Sequence, residues 1–376
     1  MPATYKNPLF KTLGEFSLFT RRISRLQLQR LLLGKEWIIS LVIFLMASPV
    51  QADYYQPSAV GSDALYTPLN SFSHYTFDTL QLPRNFDQHN LDDRFQTLFD
   101  NLSEPGRSID NEGGWGRFIN RQVLPYDTEY VSDWPTMLPN YALHLFGGGL
   151  VYRRDLEYFR AKDYSYPQLA AVGTAILSEL AQEAVEKKTT TEDDPVADFY
   201  IFRPLGLWLF ADDGRAKTIE KWLKPAIWPH QLMYNPSTDK LRNAGISYVI
   251  RPQLLSSDNT ELFMYMGMNN MAGLSHTLSN GQTISWGVGV AMTRIYYKND
   301  ELAYNTRPSA GIFADRNGNL LWSAIYNGTE DLKLRVNIYP WQRQSFKFGI
   351  ALGITDDQHG WFGATLNMPF GIAGNF

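Results

Sequence analysis

The chain has 376 residues, 44% of them hydrophobic and 19% charged, with a formal net charge of −4. That balance excludes a disordered chain and a bundle of membrane helices, and the length suits one large domain or two smaller ones. Cysteine is absent, which excludes disulfides, thiolate metal centres, a Cys nucleophile and a lipoprotein anchor.

Residues 1–52 read as an export signal. Arg21, Arg22, Arg25, Arg30 and Lys35 form the basic region, an apolar stretch runs from Trp37 to Ala47, and Val50 and Ala52 supply the small residues of a cleavage site after Ala52. The apolar stretch is shorter than the roughly 20 residues of a membrane-spanning helix. The Arg21–Arg22 pair lies too far from it to mark twin-arginine export. These 52 residues hold 7 of the 34 basic and 2 of the 38 acidic residues, leaving a net charge of −9 on the rest. An acidic exported chain is a poor partner for nucleic acid.

Residues 53–135 are expected to be irregular, apart from a short amphipathic helix at 91–102 that places Leu91, Phe95, Leu98 and Phe99 on one face. GGWGRF at 113–118 sits in what reads as a Gly- and Asp-rich loop. A helical region follows over 136–244. Its strongest helix spans 165–188, with Pro167 near the start and Lys187 and Lys188 at the end, as helix polarity prefers. The segment 194–210 is apolar almost all round, and is expected to be a buried helix that kinks or ends before Pro204. A further amphipathic piece covers 217–228.

Beyond residue 244 the apolar period changes to two. Ile284, Trp286, Val288, Val290 and Met292 alternate with small residues; Leu332, Leu334, Val336 and Ile338 alternate with Lys333, Arg335 and Asn337. The same parity carries Phe346 to Ile354 and Phe362 to Phe376. Turn signals lie at 315–319, 327–331 and 355–360. With runs near 245–256, 260–271 and 305–315, about eight strands of roughly ten residues are expected over 245–376, the length a tilted strand needs to cross a bilayer. In a soluble sandwich the bulky face would form the core. In a membrane barrel it would face lipid, and the small or polar face would line the interior. Long regular strands, tight turns and an aromatic C-terminus favour the barrel, as does the aromatic content of 14%. The Gly- and Ala-rich face between 287 and 353 leaves room that the 165–188 helix is expected to fill or cover.

No nucleophile elbow, HExxH, Walker loop or Ca²⁺ loop is present, and no cofactor is expected. Gly147–Gly149 reads as a flexible turn. Ser275 and His276 are adjacent in what reads as a loop, so their side chains diverge. His74, His89, His230 and His359 read as surface or turn residues. One constellation stands out. Asn140, His144 and Arg153 surround the glycines, Glu179 and Glu183 share a helix face at i, i+4, and Asp198 precedes Arg203, Pro204 and Gly206. His144, Glu179 and Glu183 are the candidate acid/base groups, and Asn140, Arg153, Asp198 and Arg203 the candidate binding residues. A divalent metal is possible chemistry for such a set, with the ligands left open. The competing reading is a buried polar network in which Arg153 or Arg203 neutralises the glutamates.

Over about 139–210 this pattern resembles a group of uncharacterised Gram-negative envelope proteins. It departs from them where Leu145 follows His144 and where Ser178 precedes Glu179. The resemblance carries no activity; it implies an outer-membrane location and marks Asn140, His144, Glu179, Glu183 and Asp198. The expectation is therefore an α+β chain: a helical and irregular N-terminal half, then an antiparallel outer-membrane β-barrel of about eight strands. Its partners would be outer-membrane lipid and, through Phe376, the barrel assembly machinery. A structural or partner-binding envelope role stands first. A lipid-modifying enzyme using the His/Glu cluster and a small channel are the alternatives.

Overall fold

The computed structural model describes residues 54–82, 91–126, 137–186, 192–253, 257, 259–298, 301–329, 332–339, 342–343, 346–366 and 371–376. The expected export signal with its expected cleavage point at Ala52, and also Lys187, Lys188 and His89, lie outside these. The chain is a mixed helix-and-sheet fold, helices first.

The described part of the segment expected to be irregular is largely helical. Helix α1 (Pro68–Phe77) starts on Thr67, whose side chain accepts from the Asn70 N–H, with Pro68 in the first turn where its missing N–H costs nothing. Helix α2 (Leu91–Ser103) buries Leu91, Phe95, Leu98 and Leu102, as the period requires. Helices α3 (Pro105–Asn111) and α4 (Gly114–Phe118) replace the expected loop; the positive φ angles of Gly113 and Gly114 allow the tight turn between them. Helix α5 is continuous from Met137–Pro139 through a wide π turn, Asn140–Gly147, into Gly148–Ala161. Helix α6 is Pro167–Glu186, close to its expected span. Helix α7 runs from Asp194–Ala197 through a second π turn, Asp198–Phe202, into Arg203–Ala211. It does not end before Pro204. The wide turn just ahead of the proline relieves the clash its ring makes with the preceding helical carbonyl. Tyr200, Leu205 and Trp208 are exposed, so α7 is buried on one side only. Helix α8 (Asp213–Leu223) is capped by Asp212 and leads straight into the sheet.

The sheet begins at residue 226, ahead of the expected 245. Among the described residues, fourteen strand segments replace the expected eight. They are β1 (Ala226–Pro229), β2 (Met233–Asn235), β3 (Lys240–Arg242), β4 (Ile246–Ile250), β5 (Thr260–Met266), β6 (Asn269–Thr277), β7 (Thr283–Lys298), β8 (Glu301–Arg316), β9 (Asn319–Tyr326), β10 (Leu332–Ile338), β11 (Gln342–Arg343), β12 (Phe346–Thr355), β13 (Gly360–Leu366) and β14 (Gly371–Asn375). Part of the difference is the run 260–271. It breaks at Gly267 and Met268 into the β5–β6 hairpin, closed by the Asn270 side chain, which donates to the Gly267 carbonyl at 3.0 Å. The expected turns at 315–319 and 355–360 are present, residues 330 and 331 of the third lie outside the described residues, and Asn317–Gly318 takes the doubly positive φ of a tight hairpin.

Thirteen strands follow one path, β1-β4-β5-β6-β7-β8-β9-β10-β12-β13-β14-β2-β3, with β11 paired to β12. Pro229 pairs with Ile246 and Met233 with Arg242, which is one continuous register, and the His230 N–H donates to the Gly245 carbonyl in the gap between them. The two ends of the path are therefore two halves of one hairpin, and the sheet curls to bring them together. β14 meets β2 in parallel, Gly371 opposite Met233, so the sheet is not wholly antiparallel.

The curl buries the concave face. Trp228 packs on Phe313 at 5.3 Å and on Phe263 at 6.0 Å, and Tyr265 stacks on Phe313 at 4.9 Å. Each such pair adds about 0.5–1.5 kcal/mol beyond its buried area. Polar groups share this interior: Arg251 donates to Ser275 at 2.9 Å and to Ser285 at 3.1 Å and pairs with Asp315, while Asn243 donates to Asn337 at 2.7 Å. The room left by the inner glycines is taken by side chains of the sheet itself and of the gap between β1 and β2, Trp361 lying over Gly353, Met233 over Gly363 and Gln231 over Gly349. Helix α6 does not fill it; α6 packs on α5, α1 and α2. The convex face carries Trp286, Val288, Val290, Ile312, Trp322, Phe348, Leu352, Ile354, Phe362, Leu366 and Ile372, all exposed. The convex face is covered near β2 and β3, where Leu232 and Leu241 pack with Phe77, and near β1 and β4. There Ile227, Ile246 and Tyr248 join the core of α5, α6 and α7, while their neighbours Trp228 and Val249 point into the concave core.

Candidate functional site

Four helices bring His144, Glu179, Asp198, Arg203 and Tyr75 together. The i, i+4 spacing turns Glu179 and Glu183 inward from α6, and both are buried. His144 lies in the π turn of α5 and Asp198 opens the π turn of α7; Arg203 follows directly after that turn. The glycines set how closely the helices approach. Gly148 leaves the space that the Arg203 guanidinium fills, Gly149 faces Phe210 and the Gly206 carbonyl, and Gly206 lies on the Leu145 carbonyl. Gly147–Gly149 are thus helical contact residues and not a flexible turn.

His144 Nδ1 is 2.7 Å from Glu179 Oε1 and 3.7 Å from Asp198 Oδ2. Burial, and then the Arg203 guanidinium, push the imidazole down to about 4. It is neutral at pH 7, and its Nδ1–H donates to Glu179. The other Glu179 oxygen receives the Tyr75 hydroxyl at 3.0 Å and the Arg203 guanidinium, which also donates to the Tyr75 oxygen at 2.6 Å. Asp198 is fully buried and neither of its oxygens receives a hydrogen bond. Burial first, then the charges of Asp194, Glu183 and Glu186, hold its carboxyl well above the usual range.

Of the sequence-predicted residues, His144, Glu179, Glu183, Asp198 and Arg203 meet in this cluster. Asn140 sits one turn before His144 but donates to the Gln122 side chain at 2.8 Å, and Gln122 donates on to Asp193 at 3.0 Å. Arg153 belongs elsewhere. It bonds Glu157 at 2.6 Å and Asp213 at 2.5 Å, and Glu157 accepts the Tyr54 and Tyr55 N–H groups at 2.7 and 2.8 Å. The guanidinium that neutralises Glu179 is therefore Arg203 alone of the two proposed. Tyr75 escaped the sequence reading because its segment seemed aperiodic; the Thr67–Pro68 helix start was the available signal. Ser275 and His276 lie on β6, not in a loop, with Ser275 inside and His276 exposed. His74 and His230 are buried, contrary to expectation: His74 Nδ1 accepts the Gly245 N–H at 3.2 Å, and His230 lies between Tyr265 and Arg335. His359 is at the surface beside Asp357, as expected.

The set of one imidazole and two carboxylates can relay a proton or hold a cation. It is sealed: the exposure of His144, the most open member, is 8%. No protein-family model, curated protein or solved structure matches the chain.

Proposed function

We propose that the protein is an outer-membrane β-barrel with an architectural or partner-binding role in the envelope, carrying a helical region on one side of its sheet. One observation supports this most: the outer face of the sheet is apolar and exposed, while polar and charged side chains share the buried inner face with an aromatic core. Val288 is 60% exposed and Ile372 67%, whereas Ser285, Arg335 and Asn337 are 0% exposed. A soluble sandwich would cover this outer face, because water pays no reward for a surface of Trp, Val and Leu. Lipid does. The 16-residue strands β7 and β8 exceed the span a bilayer requires. Phe376 shares the outward phase of Ile372 and pairs with Gly360, which suits recognition by the barrel assembly machinery.

The packed interior weighs against the channel reading. The lipid-modifying reading draws on the His144–Glu179 pair, but an acyl chain would have to part the helices to reach it. Membrane fractionation with gel mobility before and after boiling tests the proposal. The mature chain should partition with outer membranes and migrate faster unheated. A soluble periplasmic chain with no mobility change would overturn it.

A further inference from the structure

We propose that His144, Glu179 and Asp198 form a site for one divalent transition-metal ion inside the helical region, with Glu183 beside it. The inference does not depend on the membrane reading, since all four residues lie on α5, α6 and α7.

The ligand atoms come first. One imidazole nitrogen and one oxygen from each carboxylate lie within 4.8 Å of one another. His144 Nδ1 stands 2.7 Å from Glu179 and 3.7 Å from Asp198. Ligands bound to zinc at usual bond lengths and angles sit about 3.0–3.4 Å apart, which these two separations bracket. The second observation is independent. Asp198 has no solvent exposure, its two oxygens receive no hydrogen bond, and one of them faces His144. A buried carboxyl among other acidic groups, here Asp194, Glu183 and Glu186, either keeps its proton or ionises against a cation. A divalent ion between Asp198, Glu179 and His144 supplies that cation.

The outer contacts fit as well. Tyr75 and Arg203 both hold Glu179 Oε2, which leaves Oε1 aimed at His144. Groups that orient a ligand in this way are the usual companions of a metal centre. His144 and Asp198 each sit in a π turn, and such turns concentrate where side chains are re-aimed for function. An imidazole ligand selects first-row transition metals over Mg²⁺ or Ca²⁺. On binding, the ion replaces the Nδ1 proton that bridges His144 to Glu179.

The test uses the purified full-length mature protein, from membrane or soluble fraction alike. Metal content is measured by mass spectrometry, and melting is followed before and after chelation and after reloading with Zn²⁺ or Mn²⁺. About one ion per chain is expected, with melting lowered by the chelator and restored by metal. Asp198→Asn should carry no ion and respond to neither treatment. A wild-type protein without stoichiometric metal, whose melting ignores excess Zn²⁺, Mn²⁺, Ni²⁺ and Fe²⁺, would overturn the site. So would an ion that persists in both Asp198→Asn and His144→Ala, because it would lie elsewhere. If Asp198→Asn does not fold, chelation and reloading of the wild type decide alone.

Discussion

Gly148 and Gly173 both lie inside helices, yet the space around them assigns opposite effects to the same substitution. A Cβ at Gly148 would meet the Arg203 guanidinium, while one at Gly173 would meet open space. Gly173→Ala should stabilise by about 0.5–1 kcal/mol, the ordinary helix gain. Gly148→Ala should destabilise by about 1–3 kcal/mol despite that gain, because Arg203 must leave Glu179. Thermal melting of the two variants side by side checks both signs. Asp155 offers a test in pH. It is buried, accepts the Tyr66 hydroxyl through Oδ1, and its Oδ2 has no partner. Burial raises it from 3.8 to about 7, so between those values the folded protein keeps a proton that the unfolded chain has released. Stability therefore falls as pH rises through that window and stays lost above it. Asp155→Asn keeps the acceptor and cannot ionise, so its melting temperature should fall less between pH 5 and 8 than the wild type's. His74 acts on the other side: lowered to about 3 by burial, it costs stability as pH drops below its ordinary 6.5.

Strand β7 states the difference between water and lipid at the scale of an element. Val288 faces outward with 60% exposure, while Ser285 and Ala291 face inward. In water, Val288→Arg would be a surface change worth within about 0.5 kcal/mol. At the middle of a bilayer it costs about 2–4 kcal/mol. Refolding of Val288→Arg into lipid vesicles, with the loss of heat-resistant mobility as readout, should show the larger cost; an unchanged yield would place this face in water. The strand elements were legible from the sequence because period two writes itself into β7, β10, β12 and β13. Helix α2 was legible for the same reason at period 3.6, and α6 from Pro167 at its start and the basic residues beyond its end. The helices α1, α3 and α4 were not, since their signals are caps and glycines at the ends of short segments. Strands β1 to β3 were hidden for another reason: both of their faces are buried, one by the concave core and one by the helices, and alternation vanishes when both sides are dry.

For the whole molecule, the sequence by itself determined the order of helices before strands, the phase of the apolar face and the residue types of the polar cluster. All of these are local periodicities or short spacings. Which arginine neutralises Glu179 was decided by tertiary structure, because Arg153 and Arg203 are equivalent as residues and differ only in how α5 and α7 cross at Gly148 and Gly206. The same crossing turned three glycines from an apparent turn into a helix contact. Tertiary structure also decided what fills the curled sheet. The glycines at 349, 353 and 363 announce space, but their sequence neighbours do not say that Gln231, Trp361 and Met233 will occupy it. The closure of the sheet depended on it too, since β2 pairs with β14, Met233 opposite Gly371, far along the chain. A local pattern records only which side of an element meets another surface; the identity of that surface is set by the chain as a whole.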